Sequence, residues 1–262
     1  MKTMLITGAA SGLGWALARA AWARGWRLIL VDRDGEALAD KAARLAGVDT
    51  RRVRHFALDL TDDTARNELV AALRDEPLDA LINNAGITHR SSVARTELAV
   101  FRRVMAVDWD APVALTLALL PALRARRGTV INIGSMAGWM PVLGRAGYCS
   151  AKAALAQFFE VLRGELADEG VGVLMVYPSF LATPIERNAL GFDGRPAAHA
   201  RSSVGRVRDA DWMAERVLDA LAAGRRRLFP DRFTLFASLL WRLAPDLYHR
   251  LMRRRFAGEL DH

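Results

Sequence analysis

MLITGAASGLG, residues 4–14, carries an apolar triplet straight into a glycine-rich turn, and an amphipathic stretch opens directly behind it at Trp15. Three apolar residues ended by Thr-Gly are too short a run for a helix and read as a buried strand. Gly8, Gly12 and Gly14 let the turn bend tightly and let backbone N–H groups, those of Ser11 and Leu13 among them, approach a pyrophosphate. The helix N-terminus behind them adds partial positive charge. The strand-before, helix-after context that a nucleotide-binding glycine turn requires is met here. Three residues separate the first two glycines, where the ordinary dinucleotide fingerprint has one.

Working outward, short apolar runs at 27–31, 53–58, 79–83, 128–134 and 171–177 repeat the strand signal. Amphipathic stretches at 15–24, 36–46, 64–74, 97–124 and 148–167 lie between them. Strands alternating with helices call for a parallel sheet covered on both faces, the α/β doubly wound Rossmann-like class. One catalytic domain over residues 1–224 is the economical reading, followed by a basic amphipathic extension at 225–262. Residues 184–208 are rich in Gly, Ser, Arg and Pro, and read either as a surface loop or as a lid over a substrate site.

The chain has 262 residues, 52% hydrophobic and 25% charged, which suits a single well-buried domain. Its single cysteine, Cys149, cannot form an internal disulfide and fits a reducing compartment. Neither a signal peptide nor an uninterrupted apolar stretch of the roughly 18 residues a spanning helix needs is found, so a cytoplasmic location is expected. The net charge of +8 is local: nine Arg and two Asp fall within residues 225–255. The charge therefore says little about the body of the chain.

The second apolar run ends at Asp32, placed to accept hydrogen bonds from an adenosine ribose and to repel a 2′-phosphate. That favours NAD. Arg33 pulls toward NADP, and Ser11, standing before the second glycine where a base would serve NADP, pulls back. Asp32 also fits a helix cap in DRDGE.

YCSAK, residues 148–152, contains one of three lysines in a chain with thirty-four arginines. Tyr148 and Lys152 share one helix face. A phenol with a pKa near 10 is a poor base at neutral pH. A close ammonium lowers it, by about 1–3 units for a neighbouring opposite charge, so that it exchanges a proton with an alcohol or carbonyl oxygen as hydride moves. Ser135, just past the fifth apolar run, is placed to hold that oxygen.

TGAASGLG (7–14), Asp59, NNAG (83–86), Ser135, the Tyr148/Lys152 pair and PSFLAT (178–183) together resemble the compact branch of the short-chain dehydrogenase/reductase family. The resemblance extends over roughly residues 3–183. It implies a sheet of about seven strands and an NAD(P)-dependent oxidoreductase interconverting a secondary alcohol and a carbonyl. Asp59 and Leu60 would meet the adenine, and Asn83 with Asn84, Ala85 and Gly86 would support the sheet beside the coenzyme. Pro178 would lie beside the nicotinamide, with Thr183 on its carboxamide and Lys152 on its ribose. The family has Gly where this chain has Ser179. It also carries an Asn, joined through water to the lysine, where this chain has Asp108. An ionised Asp accepts but cannot donate a hydrogen bond, and its charge would blunt the pull of Lys152 on Tyr148. The family pairs through its two long helices, so a homodimer or homotetramer is expected.

An NADP-dependent 3-ketoacyl or steroid-type reductase and a non-catalytic NAD-binding protein stay open as alternatives. Trp139, Met140, Phe180 and Leu181 read equally as a pocket lining or as core. In the tail, Phe236, Leu240, Leu243, Leu247 and Leu251 form a stripe broken by Pro245, so two short helices should meet at Ala244. Arginines surround it. The stripe reads as packed on the body or a sister subunit, or as lying at a membrane surface. No reading motif accompanies the charge, so nucleic acid is not expected. The motifs call for no metal.

Overall fold

The computed structural model describes residues 1–47, 49–197, 207–230 and 232–256. Strand β1 (Thr3–Thr7) is buried end to end and sends Met4 and Ile6 to one apolar layer and Leu5 to the other. The same alternation runs along β2 (Arg27–Asp32), β4 (Ala80–Asn83), β5 (Thr129–Ile133) and β6 (Gly172–Val176). Strands buried on both faces read as near-continuous apolar runs, which is why their sequences lack a polar side. Strand β3 (Val53–Ala57) and the two-residue β7 (Arg227–Leu228) close the two edges. Among the described residues these form one parallel sheet, ordered β3-β2-β1-β4-β5-β6-β7.

Helices α1 (Gly12–Ala23), α2 (Gly35–Ala46) and α7 (Ala210–Ala222) cover one face. Covering the other are α3 (Asp63–Ala72), α5 (Ala111–Arg126) and α6 (Ala146–Glu165). The doubly wound expectation is met, and every expected strand falls within a residue or two of its place. β7 lies three residues past the expected boundary at 224, so the sheet draws its last strand from the C-terminal segment.

Helix α4 (Leu98–Met105) runs into α5 through a single π turn at Ala106–Asp110, where the Ala111 N–H reaches back to the Ala106 carbonyl. The combined 29-residue helix is long and apolar enough to cross a membrane by length and composition alone, with an 18-residue stretch of mean hydropathy 1.4. Asp108 and Asp110 interrupt it, and its inner side forms core with β4 and β5. Val100, Val104, Asp108, Pro112, Thr116 and Leu120 are all buried at a strict spacing of four. Each step of four overshoots a 3.6-residue turn by about 40°. The wider π turn absorbs part of that overshoot and keeps Asp108 pointing inward.

Helices α8 (Arg232–Leu243) and α9 (Pro245–Arg255) meet at Ala244, as Pro245 dictates. Their inward side carries Tyr248, whose hydroxyl donates to the Pro141 carbonyl at 2.8 Å, together with buried Ser238 and Phe256. The Arg242 guanidinium lies 4.3 Å over the Trp139 ring. Trp139 in turn packs edge-on against Tyr177 and Phe229. Within this chain the expected packing of the Leu stripe on the body is not what the fold adopts. Tyr248 provides the contact, and most of the stripe faces outward.

Candidate active site

β1 and β4 are neighbours, yet the chain leaves them toward opposite edges of the sheet. Such a reversal opens a crevice above the carboxyl ends of the strands. A cleft of about 340 Å³ occupies it, running from the glycine turn to Met140, Phe180 and Leu181.

Gly8 and Gly12 have left-handed backbone, φ 66° and 51°, which explains glycine at both. Helix α1 starts at Gly12 with no side-chain capping bond from Ser11 and no acid in its first turn. α2 and α3, by contrast, are capped by Asp34 and Asp62. The first N–H donors of α1 are thus left for the cleft that Ser11, Gly12 and Leu13 line, an arrangement that suits a pyrophosphate. Gly14 serves the packing of α1 instead. A Cβ there would run into the Gly8 carbonyl and lie 2.6 Å from Asn84 Nδ2. Its bare backbone lets the helix sit on the turn and does not line the cleft.

Thr7 Oγ1 accepts from the N–H groups of Asn84 and Ala85 at 3.0 Å, and Asn84 Nδ2 donates to the Thr7 carbonyl at 2.9 Å. Asn83 Nδ2 donates to Asn132 Oδ1 at 2.8 Å and to Thr116 Oγ1 at 3.0 Å, tying β4 to β5 inside the core. Gly86 lines the cleft beside Ala85. Asp32 Oδ2 accepts from the Ala10 N–H at 2.8 Å and Oδ1 from the Asp34 N–H at 3.1 Å. The capping role considered for Asp32 belongs to Asp34. Arg33, Asp59 and Leu60 line the same end of the cleft. Hydrogen bonds from Thr61, aided by the charges of Arg33 and Arg103, hold the Asp59 carboxyl below the usual carboxylate range.

At the other end, Ser135 begins a tight turn at Met136–Gly138, its Oγ accepting from the Ala137 N–H at 3.1 Å. It faces the Tyr148 hydroxyl, which lies in the first turn of α6. Lys152, one turn on, donates to the Ile133 carbonyl at 3.1 Å, and its Nζ lies 5.7 Å from the Tyr148 ring centre. Pro178 and Thr183 line the cleft beside them, and Thr183 packs over Gly12, whose added Cβ would meet it at 3.2 Å.

Asp108 lies behind this group, fully buried and outside the cleft lining. Its Oδ1 accepts from the Ile87 N–H at 2.7 Å, and Oδ2 lies 3.5 Å from Lys152 Nζ without taking a hydrogen bond among the described residues. Burial pushes the Asp108 carboxyl up, against the pull of Lys152 and the Ile87 N–H. The sequence-level expectation that Lys152 depresses the Tyr148 phenol needs correction. Desolvation, followed by the negative charge of Asp108, pushes that phenol well above its ordinary value. Contact with Ser135 and the charge of Arg145 oppose the rise in part. The physical reason is placement: the ammonium is engaged by Asp108 and the Ile133 carbonyl, so its charge is largely compensated before it reaches the phenol.

Of the four apolar candidates, Met140, Phe180 and Leu181 line the cleft, whereas Trp139 belongs to the aromatic cluster under α8. Three residues escaped the sequence reading. His89 Nε2 accepts from the Gly147 N–H at 2.9 Å, fixing the start of α6 one residue before Tyr148. That acceptor role puts the ring proton on Nδ1, toward Ser91 Oγ at 3.3 Å, and burial drives the imidazole pKa down to about 4. Buried Arg145 pairs with Glu186 at 3.2 Å, joining α6 to the first part of the 184–208 segment. Within that segment Pro184–Glu186 forms a short turn and Leu190 bonds the backbone of residues 88 and 90, while residues 198–206 lie outside the described residues.

The sequence model described as short chain dehydrogenase matches residues 2–191. A bovine (Bos taurus) protein, dehydrogenase/reductase SDR family member 7B, is 36% identical over 98% of this chain and 82% of its own length. A Drosophila melanogaster protein, dehydrogenase/reductase SDR family protein 7-like, is 33% identical over 97% of this chain and 80% of its own. Among solved structures, a short-chain dehydrogenase from Streptomyces avermitilis superposes with a TM-score of 0.80 at 28% identity, covering 98% of this chain and 97% of that one. One from Sphingobium yanoikuyae, in complex with NADPH, gives 0.78 at 26% identity, covering 96% and 95%.

Proposed function

Because this chain belongs to the short-chain dehydrogenase/reductase family and is an oxidoreductase of it, we propose that it reduces the carbonyl group of an apolar substrate at the expense of a nicotinamide dinucleotide, NADH by preference. One observation carries the reading: Ser135, Tyr148 and Lys152 converge at the apolar end of a cleft whose other end is an uncapped glycine turn.

The bound coenzyme supplies the hydride. The chain's residues do the rest. The α1 N-terminus holds the pyrophosphate and Asp32 the adenosine ribose, with Asp59 and Leu60 at the adenine. Lys152 reaches the nicotinamide ribose, and Thr183 and Pro178 flank the nicotinamide itself. Ser135 donates to the substrate oxygen and orients it toward the Tyr148 hydroxyl. Tyr148 delivers the proton to that oxygen as the carbonyl carbon is reduced. Burial and Asp108 keep the Tyr148 phenol protonated at neutral pH, the form that carbonyl reduction needs. Lys152, Asp108 and water then return the proton.

The carboxylate of Asp32 supports NADH, because a 2′-phosphate beside it would be repelled. Arg33 in the same cleft, and the NADPH held by the Sphingobium yanoikuyae neighbour, favour a second reading with NADPH. Oxidation of each coenzyme should be followed with carbonyl compounds graded from small ketones to long-chain and steroidal ones. NADH is expected to give kcat/KM at least tenfold above NADPH, and Asp32→Ser should shrink that ratio. A preference for NADPH in the unaltered protein would replace the first reading with the second, and turnover with neither coenzyme would defeat both.

Asp108→Asn should keep turnover within tenfold and shift the pH profile. Asp108 raises the Tyr148 pKa, so removing its charge lowers that pKa. In alcohol oxidation, which needs the phenolate, the rise of rate with pH should move to lower pH. In carbonyl reduction, which needs the phenol, the fall at high pH should move the same way. An unmoved profile would take Asp108 out of the proton path.

A further inference from the structure

The face of α8–α9 turned away from the body carries Phe236, Leu239, Leu243, Leu247 and Leu251, which are 64%, 46%, 84%, 46% and 48% exposed. Large apolar side chains scattered singly over a surface need no explanation, but five on two consecutive helices make a patch. The most exposed of them, Leu243, sits where the two helices meet, so the pair presents a blunt apolar corner. Around it stand the exposed arginines Arg232, Arg250, Arg253 and Arg254, against a single acid on these two helices, Asp246. This pair is no loose tail. Tyr248, Ser238 and Phe256 fix its other side to the body, and Tyr248 reaches the backbone of Pro141, next to the cleft residue Met140.

We propose that this face is a membrane-surface anchor: α8 and α9 lie in the headgroup layer of an anionic bilayer, with the five apolar side chains inserted and the arginines among lipid phosphates. An apolar centre with a cationic rim is the pattern of interfacial helices, in which buried apolar area and attraction to anionic lipid act together. Charge complementarity selects this occupant over a second copy of the chain. A two-fold interface would bring the same arginine-rich helices against themselves, with six Arg and one Asp on α8 and α9 of each copy. It is also selected over nucleic acid, whose backbone offers phosphates but nothing to cover five exposed apolar side chains. Attachment through Tyr248 and Pro141 brings the apolar end of the cleft close to the lipid surface, the side from which an apolar substrate would arrive.

The test is flotation of the full chain with vesicles of phosphatidylcholine alone and of phosphatidylcholine with about 30 mol% phosphatidylglycerol. Truncation at Gly224 is the wrong tool, since it would remove β7 along with the helices. The double substitution Leu243→Asp, Leu247→Asp changes exposed side chains only, so an unchanged melting temperature and elution volume will verify its fold. The unaltered protein is expected to float with the anionic vesicles at least tenfold better than with the neutral ones, to lose most of that binding in about 0.5 M NaCl, and to lose at least tenfold in the double variant. Equal partition into both vesicle types, no flotation with either, or a double variant that floats like the parent would overturn the proposal. A double variant that instead breaks an oligomer while flotation is unaffected would assign the face to subunit contact.

Discussion

Tyr148→Phe is expected to lower kcat by at least about a thousandfold, while NADH binding stays within a few-fold of the unaltered protein. Positioned general acids contribute on the order of 10²–10⁴ in rate, and the substitution removes only the oxygen. The ring keeps its place at the start of α6, because Gly147 and the His89 contact that fix this helix end do not involve the hydroxyl. Lys152 keeps its hydrogen bond to the Ile133 carbonyl and its ion pair with Asp108, so the cleft stays built around its cation. The loss should therefore fall on kcat with KM little changed, the pattern of an interaction made in the transition state. Steady-state kinetics beside a fluorescence titration of NADH separates the two effects. Residual turnover within tenfold of the parent would mean that another group delivers the proton, and the assignment of Tyr148 would have to be abandoned.

The second large effect concerns stability. Gly14→Ala is expected to destabilise the fold by about 3 kcal/mol or more, the upper end for forcing extra volume into a packed site. In a chain of this size that lowers the melting temperature by roughly 10 °C. The added methyl group would press into the backbone carbonyl of Gly8 and lie 2.6 Å from Asn84 Nδ2. Neither can yield cheaply. Gly8 continues from the fully buried β1, and the Asn84 amide is held by the Thr7 carbonyl. To make room α1 would have to lift from the sheet, taking the coenzyme site with it. Gly164→Ala is the matching control, since a Cβ there meets nothing within 4 Å and Ala is the better helix former. It should be neutral or stabilising. Calorimetry of both variants decides the matter: a Gly14→Ala melting point within a degree or two of the parent would mean that α1 does not depend on its close packing against Gly8.

What could be read from the sequence is what the chain encodes locally. Six strands were legible because burial on both faces compresses each into an apolar run. β7 was not, because two residues paired to β6 at Met175 and Val176 leave no period to detect, least of all inside an arginine cluster. The glycine turn, Asp32, Ser135 and the Tyr148/Lys152 pair were legible because each follows a strand end or shares a helix face within a few residues. His89 and Glu186 were not. They act on α6 across 58 and 41 residues, through contacts only the folded chain creates. The tail shows the same division. Its amphipathic stripe and the break at Pro245 were readable, yet which side turns inward depends on Tyr248 finding the Pro141 carbonyl. The desolvation that raises the Tyr148 phenol was not legible either, because it is set by everything packed around the hydroxyl and not by the Tyr-Lys spacing. The blunting of Lys152 was legible, since it needs only the Asp108 carboxylate.

That carboxylate rides on the π turn, and the turn behaves like a dislocation in a screw. It holds one residue more than the regular thread on either side, and so sets the phase of α5 against α4. Because the π turn already takes up that one extra residue, removing a single residue between 106 and 110 would return it to the regular thread with α4 and α5 close to their present phase. The turn's own side chains would move, so the deletion should displace the Asp108 carboxylate from behind Lys152 while the fold survives. The same deletion in the middle of α5, where no spare residue is held, would rotate everything beyond it by about 100° and swing Leu119 and Leu123 off the core. Melting curves of the two deletions check this: the one in α5 should unfold the chain and the one in the π turn should not.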